Sequence, residues 1–104
     1  NALGTPLGRY MKILLDAVGS RWYAFLDQKR DLINIGTTRV VFVVDRSGRV
    51  NNLKVIENTA NEVSANVCIQ SIQEAQLPPI PDDLAEMLPA EGLDMDVPFT
   101  IFPN

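Results

Sequence analysis

The sequence contains no histidine and one cysteine, Cys68, so several kinds of active site lack a required residue. Ser-His-Asp and Cys-His catalytic groups need an imidazole base, and many zinc sites need imidazole ligands. A lone cysteine cannot form an internal disulfide, so cysteine content says little about the compartment. We expect Cys68 to be a small buried hydrophobe, because a buried thiol without a base is unreactive.

Long apolar runs and an excess of basic residues are also missing. The longest apolar run, Val40 to Val44, is far shorter than the roughly 20 residues that span a bilayer. The formal charge of −4 argues against nucleic-acid binding, which depends on Lys and Arg. No signal peptide is visible and the chain begins at Asn1, so we expect a fragment of a longer protein with any anchor upstream.

The length of 104 residues suits a single domain, and its clearest pattern is a β-hairpin over Thr37 to Asn58. Thr37 to Val44 is rich in β-branched residues and apolar on both faces, as expected of a central strand. Asp45 to Gly48 has the composition of a turn. Arg49 to Glu57 has more polar positions, which predicts a strand with one wet face or a place at a sheet edge.

A long amphipathic helix precedes the hairpin. Thr5 is its predicted N-cap and Pro6 lies in its first turn. Gly19 lies inside the helix and indicates close packing. Its apolar stripe recurs at helical spacing and covers more than a third of the circumference: Tyr10, Ile13, Leu14, Ala17, Val18 and Phe25, widened by Met11, Leu15, Trp22 and Leu26.

A second helix follows the hairpin. A capping box predicts its start, with Thr59 as N-cap and Glu62 three residues later. Pro78 and Pro79 end it, because proline cannot donate a helical hydrogen bond. Its predicted apolar face consists of Ala65, Cys68, Ile69, Ile72 and Ala75.

The C-terminal third predicts a short helical turn and a third strand. The turn lies between Ile80 and Pro89, with Asp82 as its cap and three inward-facing side chains, Leu84, Met87 and Leu88. From Leu93 to Phe102 apolar and polar positions alternate, the signature of a half-buried strand. Pro98 cannot donate to a ladder, so this strand belongs at a sheet edge with that position facing away from its neighbour.

The order α-β-β-α-β fixes the arrangement of the strands. A helical crossover after strand two returns strand three parallel to it, so strand three can pair antiparallel only with strand one. The sequence therefore predicts an α+β fold, with a three-stranded antiparallel sheet in the order 2-1-3 and two helices packed on it.

Two groups of side chains carry candidate chemistry. The stacking of bases or sugars is one interpretation of Arg21-Trp22-Tyr23, but we expect an aromatic set in the helix core. The acidic C-terminal third offers carboxylates as calcium ligands: Asp82, Asp83, Glu86, Glu91, Asp94 and Asp96. No stretch has the spacing of a calcium loop, and edge-strand charge commonly prevents aggregation, so we expect a solvated face without metal or cofactor.

Three segments of the chain form a wider pattern. They are Arg39-Val-Val-Phe-Val-Val-Asp-Arg-Ser-Gly-Arg-Val50, Ala65 to Ala75 followed by Leu77-Pro-Pro-Ile-Pro81, and Leu93-Asp-Met-Asp-Val-Pro-Phe-Thr-Ile-Phe102. In this order and spacing they resemble the C-terminal domains of the TonB/TolA family of envelope energy transducers. The long first helix is more similar to the TolA branch.

This resemblance implies a non-enzymatic domain in the periplasm, tethered by an absent N-terminal segment to a proton-driven motor in the inner membrane. It implies that the last strand binds an extended segment of a partner, either an outer-membrane receptor with a TonB box or a TolB-like or lipoprotein partner. Thr100 and Phe102 would set side-chain specificity. Carried onto this chain, the contact residues are Asp96, Val97, Pro98, Phe99, Thr100, Ile101 and Phe102.

Two other functions stay open. A structural or assembly module would use the same edge strand to self-associate, for instance as a homodimer. An enzyme would use the acidic third with a divalent metal, and its stability would then depend on the metal.

Overall fold

The computed structural model describes residues 4–103, and this part of the chain forms three α-helices and three strands. In chain order they are α1 (Pro6–Lys29), β1 (Gly36–Val44), β2 (Val50–Asn58), α2 (Glu62–Glu74), α3 (Asp82–Ala85) and β3 (Leu93–Ile101), with a 3₁₀ turn at Arg30–Leu32. The strands form an antiparallel sheet in the order β2-β1-β3. The predicted α+β class and strand order are confirmed. The predicted domain also includes residues 1–3 and 104, which lie outside the described residues.

The helices cover one face of the sheet. α2 packs against β1 and β2, and α1 packs against α2, so α1 occupies the β3 side of the helical layer. The ring of Trp22 on α1 meets that of Phe99 on β3 edge-on, with 5.4 Å between centroids. Alternate residues of β1 and β3 enter the core beneath the helices, while the intervening ones lie on the opposite, open face.

The start of α1 is as predicted, but its buried stripe is narrower. The Thr5 hydroxyl accepts a hydrogen bond from the Gly8 N–H at 2.9 Å, and Pro6 is the first helical residue. The fully buried side chains are Tyr10, Leu14 and Val18. Ile13 and Leu15 are 47 % and 43 % exposed, because the helix rests on one layer only. The close packing predicted at Gly19 is wrong, since a Cβ there would meet open space.

β2 is an edge strand that bulges twice. Its pairing with β1 shifts register after Arg39 and again between Val41 and Val43. At the second shift Asn52 has a φ of 56° in the left-handed region. The extra residue explains the uneven spacing of the core-side residues of β2, which are Val50, Leu53 and Val55.

The predicted cap of α2 is wrong by two residues. Asn61 is the N-cap, and its Oδ1 accepts a hydrogen bond from the Ser64 N–H at 3.0 Å. Thr59 instead bonds to the start of β1, because its hydroxyl accepts a hydrogen bond from the Thr37 N–H at 2.9 Å. The buried face also differs from the predicted one, and Ala65, Ile69 and Ala75 are only half-buried. The fully buried residues are Ser64, Val67, Cys68, Ser71 and Ile72, and the helix ends at Glu74, before the prolines.

The short helix α3 also differs in its details from the prediction. Pro81 occupies the N-cap position, Asp82 is the first helical residue, and no side chain caps the helix. Leu84 is buried, but Met87 is 67 % exposed because it follows the end of this one-turn helix. The chain then enters β3 through Gly92, whose φ of 118° suits glycine and which lies against the carbonyl of Val44.

Candidate functional site

The candidate site is the free edge of β3. This strand pairs with β1 without a register shift, from Val44 opposite Leu93 to Gly36 opposite Ile101. Its other side has no strand neighbour among residues 4–103. The predicted contact residues from Asp96 to Ile101 lie on this strand, and Phe102 follows it directly.

The direction of each main-chain group along β3 follows from the pairing of β1. The Thr37 N–H and C=O both bond to Thr59, on the β2 side. Main-chain groups alternate in direction along a strand, so those of Thr38 and Val40 point to β3. Their partners Phe99 and Val97 therefore bond to β1, whereas Pro98 and its even-numbered neighbours direct their main-chain groups outward. The prediction that Pro98 faces away from its neighbour agrees with this register.

The even-numbered side chains of β3 lie on the open face. Asp96 forms a bidentate ion pair with Arg39 of β1, with Nε–Oδ1 and Nη2–Oδ2 distances of 2.9 and 2.6 Å. These hydrogen bonds from Arg39 hold the pKa of Asp96 below its usual value. On its other side Arg39 approaches Glu57 of β2 at 3.9 Å, so the arginine joins all three strands.

The remaining even positions of β3 differ in their partners. The Thr100 hydroxyl is 3.0 Å from that of Thr37, so this side chain is half-buried. Asp94 is exposed, and its carboxylate has no hydrogen bond or ion pair within the described part of the chain. The Phe102 side chain is 76 % exposed.

The odd positions of β3 build the core. Val97 and Phe99 are 7 % and 5 % exposed, and their main-chain groups are directed to β1. Ile101 is half-buried at the end of the strand. Of the seven predicted contact residues, the groups that lie open to a partner are therefore those of Asp96, Pro98, Thr100 and Phe102.

An apolar groove lies at the end of this edge and was not predicted. It has a volume of about 350 Å³ and is lined by Leu26, Arg30, Ile33, Ile35, Ile101 and Phe102. Ile35 is 58 % exposed although it lies directly before β1. The apolar pair Ile33 and Ile35 in a short connection was the available sequence signal. We define the β3 edge groove as the cleft lined by these six residues.

The groups considered as chemical candidates have ordinary surroundings. Cys68 is fully buried, and burial raises the pKa of its thiol to about 12, although Thr38, Ser64 and Trp22 oppose the rise. Trp22 packs on Phe99, but Tyr23 is 66 % exposed, so the predicted aromatic core set holds only for Trp22. Across residues 4–103 no three potential His, Cys, Asp or Glu ligands converge on one point.

Comparison with known proteins leaves the family unassigned. No protein-family model matches the chain, and no curated protein matches it. The TonB/TolA likeness therefore stays a prediction that depends on the sequence pattern. Within the described residues no helix is long and apolar enough to cross a bilayer.

Proposed function

We propose that this domain binds an extended segment of another protein by strand addition to β3. The observation that carries the proposal is the contrast between its two sheet edges. β3 is a nine-residue edge without a bulge, in which only Pro98 lacks an N–H, whereas β2 bulges twice and turns one residue into the left-handed region. Bulges are a common protection of edges, and a regular edge is the form that accepts another strand.

In this proposal the partner strand is held by main-chain hydrogen bonds to the even-numbered residues of β3. Asp94, Asp96 and Thr100 each direct an N–H outward, and Pro98 contributes only its carbonyl. Each such bond contributes about 0.5 to 1.5 kcal/mol net. A strand pulled along its axis loads these bonds together, whereas peeling breaks them one at a time, so the geometry suits the transmission of force.

We further propose that the domain is a non-enzymatic, TonB/TolA-like energy transducer of the periplasm. Support comes from the three resembling segments and from an element order that accommodates them. In this function an N-terminal segment anchors the domain to an inner-membrane motor. The partner is an outer-membrane receptor, a periplasmic protein or a lipoprotein, and binding couples proton motive force to transport or envelope integrity.

Self-association through the same edge is the second candidate. In a two-fold pairing of β3 with β3, Pro98 of each copy removes one donor, so the dimer ladder lacks two hydrogen bonds. A ladder between β3 and a partner strand without proline lacks only one hydrogen bond, the one that Pro98 cannot donate. The geometry therefore favours a different protein as the partner.

Two substitutions at Thr100 test the proposal. Thr100→Pro removes an outward N–H, and Thr100→Val keeps it; both remove the hydroxyl contact to Thr37. The probes are synthetic peptides that tile the periplasmic segments of candidate receptors and lipoproteins, with affinity measured by fluorescence anisotropy. We expect Thr100→Pro to weaken binding at least tenfold and Thr100→Val to leave it within about twofold.

Circular dichroism first establishes that both variants fold. A folded Thr100→Pro variant with wild-type affinity would contradict the edge proposal. If no peptide binds but the mass of the wild-type domain rises with concentration and that of Thr100→Pro does not, the edge serves self-association.

A further inference from the structure

The two ends of the β3 edge differ in chemistry. At one end Asp94 presents an exposed carboxylate that no cation within the described chain neutralises. At the other end Ile101 and Phe102 line the β3 edge groove together with Leu26 and Ile33. Between them the carboxylate of Asp96 already has a cation, Arg39. The edge therefore has one acidic end, one apolar end and a neutral middle.

The ends also lie on different faces of the sheet. Asp94 belongs to the open face, while Ile101 belongs to the face that α1 and α2 cover. Residues directly opposite each other on adjacent strands place their side chains on the same face. A partner residue opposite Asp94 thus lies over the open face, and one opposite Ile101 points toward the groove beside the end of α1.

We propose that the partner segment carries a bulky apolar residue and a basic residue seven positions apart, an inference that rests on the proposed function. The apolar side chain fills the β3 edge groove opposite Ile101, and the basic side chain pairs with Asp94. Seven positions span about 23 Å of strand, and an odd separation places the two side chains on opposite faces, as the edge requires.

The direction of the partner strand sets the order of the two residues. Antiparallel pairing is slightly more stable than parallel pairing, and β3 already pairs antiparallel with β1. In an antiparallel partner the apolar residue comes first and the basic residue follows seven positions later. A parallel partner has the reverse order.

Designed nine-residue peptides test this pattern directly. The parent peptide is Phe-Thr-Val-Thr-Val-Thr-Val-Lys-Thr, with Phe at the first position and Lys at the eighth. One variant replaces Lys by Glu, a second replaces Phe by Ser, and a third reverses the parent sequence. Affinity is measured by fluorescence anisotropy at low salt, and the contact is located from the amide chemical shifts of β3.

We expect the Glu peptide to bind about fivefold more weakly than the parent and the Ser peptide about tenfold more weakly. Asp94→Lys in the domain should reverse the preference between the Lys and Glu peptides. Ile35→Ser should weaken parent binding about threefold, because Ile35 is an exposed residue of the groove. Ile56→Ser is the matched control, since Ile56 is 46 % exposed on the other edge strand.

The outcomes separate this inference from the proposed function. If the peptides shift the β3 amides but bind with equal affinity, the pattern is overturned and strand addition stands. If the reversed peptide binds more tightly than the parent peptide, the antiparallel direction is overturned. If no peptide shifts the β3 amides, both the pattern and the edge proposal are overturned.

Discussion

At the scale of single residues, Gly19 shows that a glycine inside a helix need not serve packing. It lies within α1, and a Cβ at this position would meet open space. Glycine in a helix interior costs about 0.5 to 1 kcal/mol relative to alanine.

We therefore predict that Gly19→Ala raises the free energy of unfolding by about 0.5 to 1 kcal/mol, measured by urea denaturation. Gly92→Ala is the contrasting control and should destabilise the domain. Its backbone has a φ of 118°, and a Cβ would collide with the carbonyl of Val44. Equal effects at the two glycines would contradict this account.

Asp45 organises the turn between β1 and β2. Its carboxylate accepts hydrogen bonds from the Ser47 hydroxyl and N–H, the Arg49 N–H and the Asn51 amide, at 2.6 to 3.2 Å. The bond from the Ser47 hydroxyl contributes most to lowering the pKa of Asp45. A carboxylate with a lowered folded pKa stabilises the fold above its unfolded pKa of about 3.9, and this contribution is lost as pH falls through the folded pKa.

Asp45→Ala should therefore destabilise the domain at pH 7, and its difference from wild type should shrink as the pH is lowered below about 4. Denaturant unfolding over a pH series measures this difference. Asp45→Asn is the control, because it keeps an acceptor oxygen but removes the titrating charge. A difference that stays constant down to the lowest pH would show that the charge contributes nothing.

At the scale of elements, the second bulge distinguishes β2 from β3. Asn52 is in the left-handed region, where a β-branched residue costs about 1 to 2 kcal/mol. Asn52→Val should destabilise the domain by about that amount. Lys54→Val is the control, because Lys54 is exposed on the same strand and surface substitutions usually change the free energy of unfolding by less than about 0.5 kcal/mol. Similar losses for both variants, measured by thermal unfolding, would rule out the bulge as the cause.

The elements show which features the sequence could predict. Periodicity over many residues identified α1, the hairpin and β3, and the connection rules fixed the strand order. The N-cap of α2 was predicted wrongly because two nearby residues, Thr59 and Asn61, both have side chains that can cap a helix. β2 extends through Asn58, so Asn61 and not Thr59 caps α2. Pro81 likewise took the position predicted for Asp82.

The candidate site was predictable only in part. Alternation and Pro98 located the edge strand and its orientation. The β3 edge groove was not predictable, because it forms only where Ile101 and Phe102 at the end of β3 meet the segment from Leu26 to Ile35, which lies far from them in sequence. The ion pair between Arg39 and Asp96 likewise depends on the register of β1 and β3.

At the scale of the whole molecule, the hydrophobic core and the candidate binding edge use different positions of β3. The helices and the core side of the sheet form one hydrophobic cluster that includes the odd positions of β3. The even positions add little to that core and direct their main-chain groups to solvent. The proposed partner strand would therefore need no rearrangement of the core to pair with β3.

The most direct test of this account is amide hydrogen exchange along β3, read residue by residue by NMR. In the free domain we predict slow exchange at Val97 and Phe99, which bond to β1, and fast exchange at Asp94, Asp96 and Thr100. With the tightest-binding peptide of the periplasmic panel, the three fast amides should become protected by at least tenfold. Unchanged exchange at these amides in the peptide-bound domain would contradict strand addition to β3.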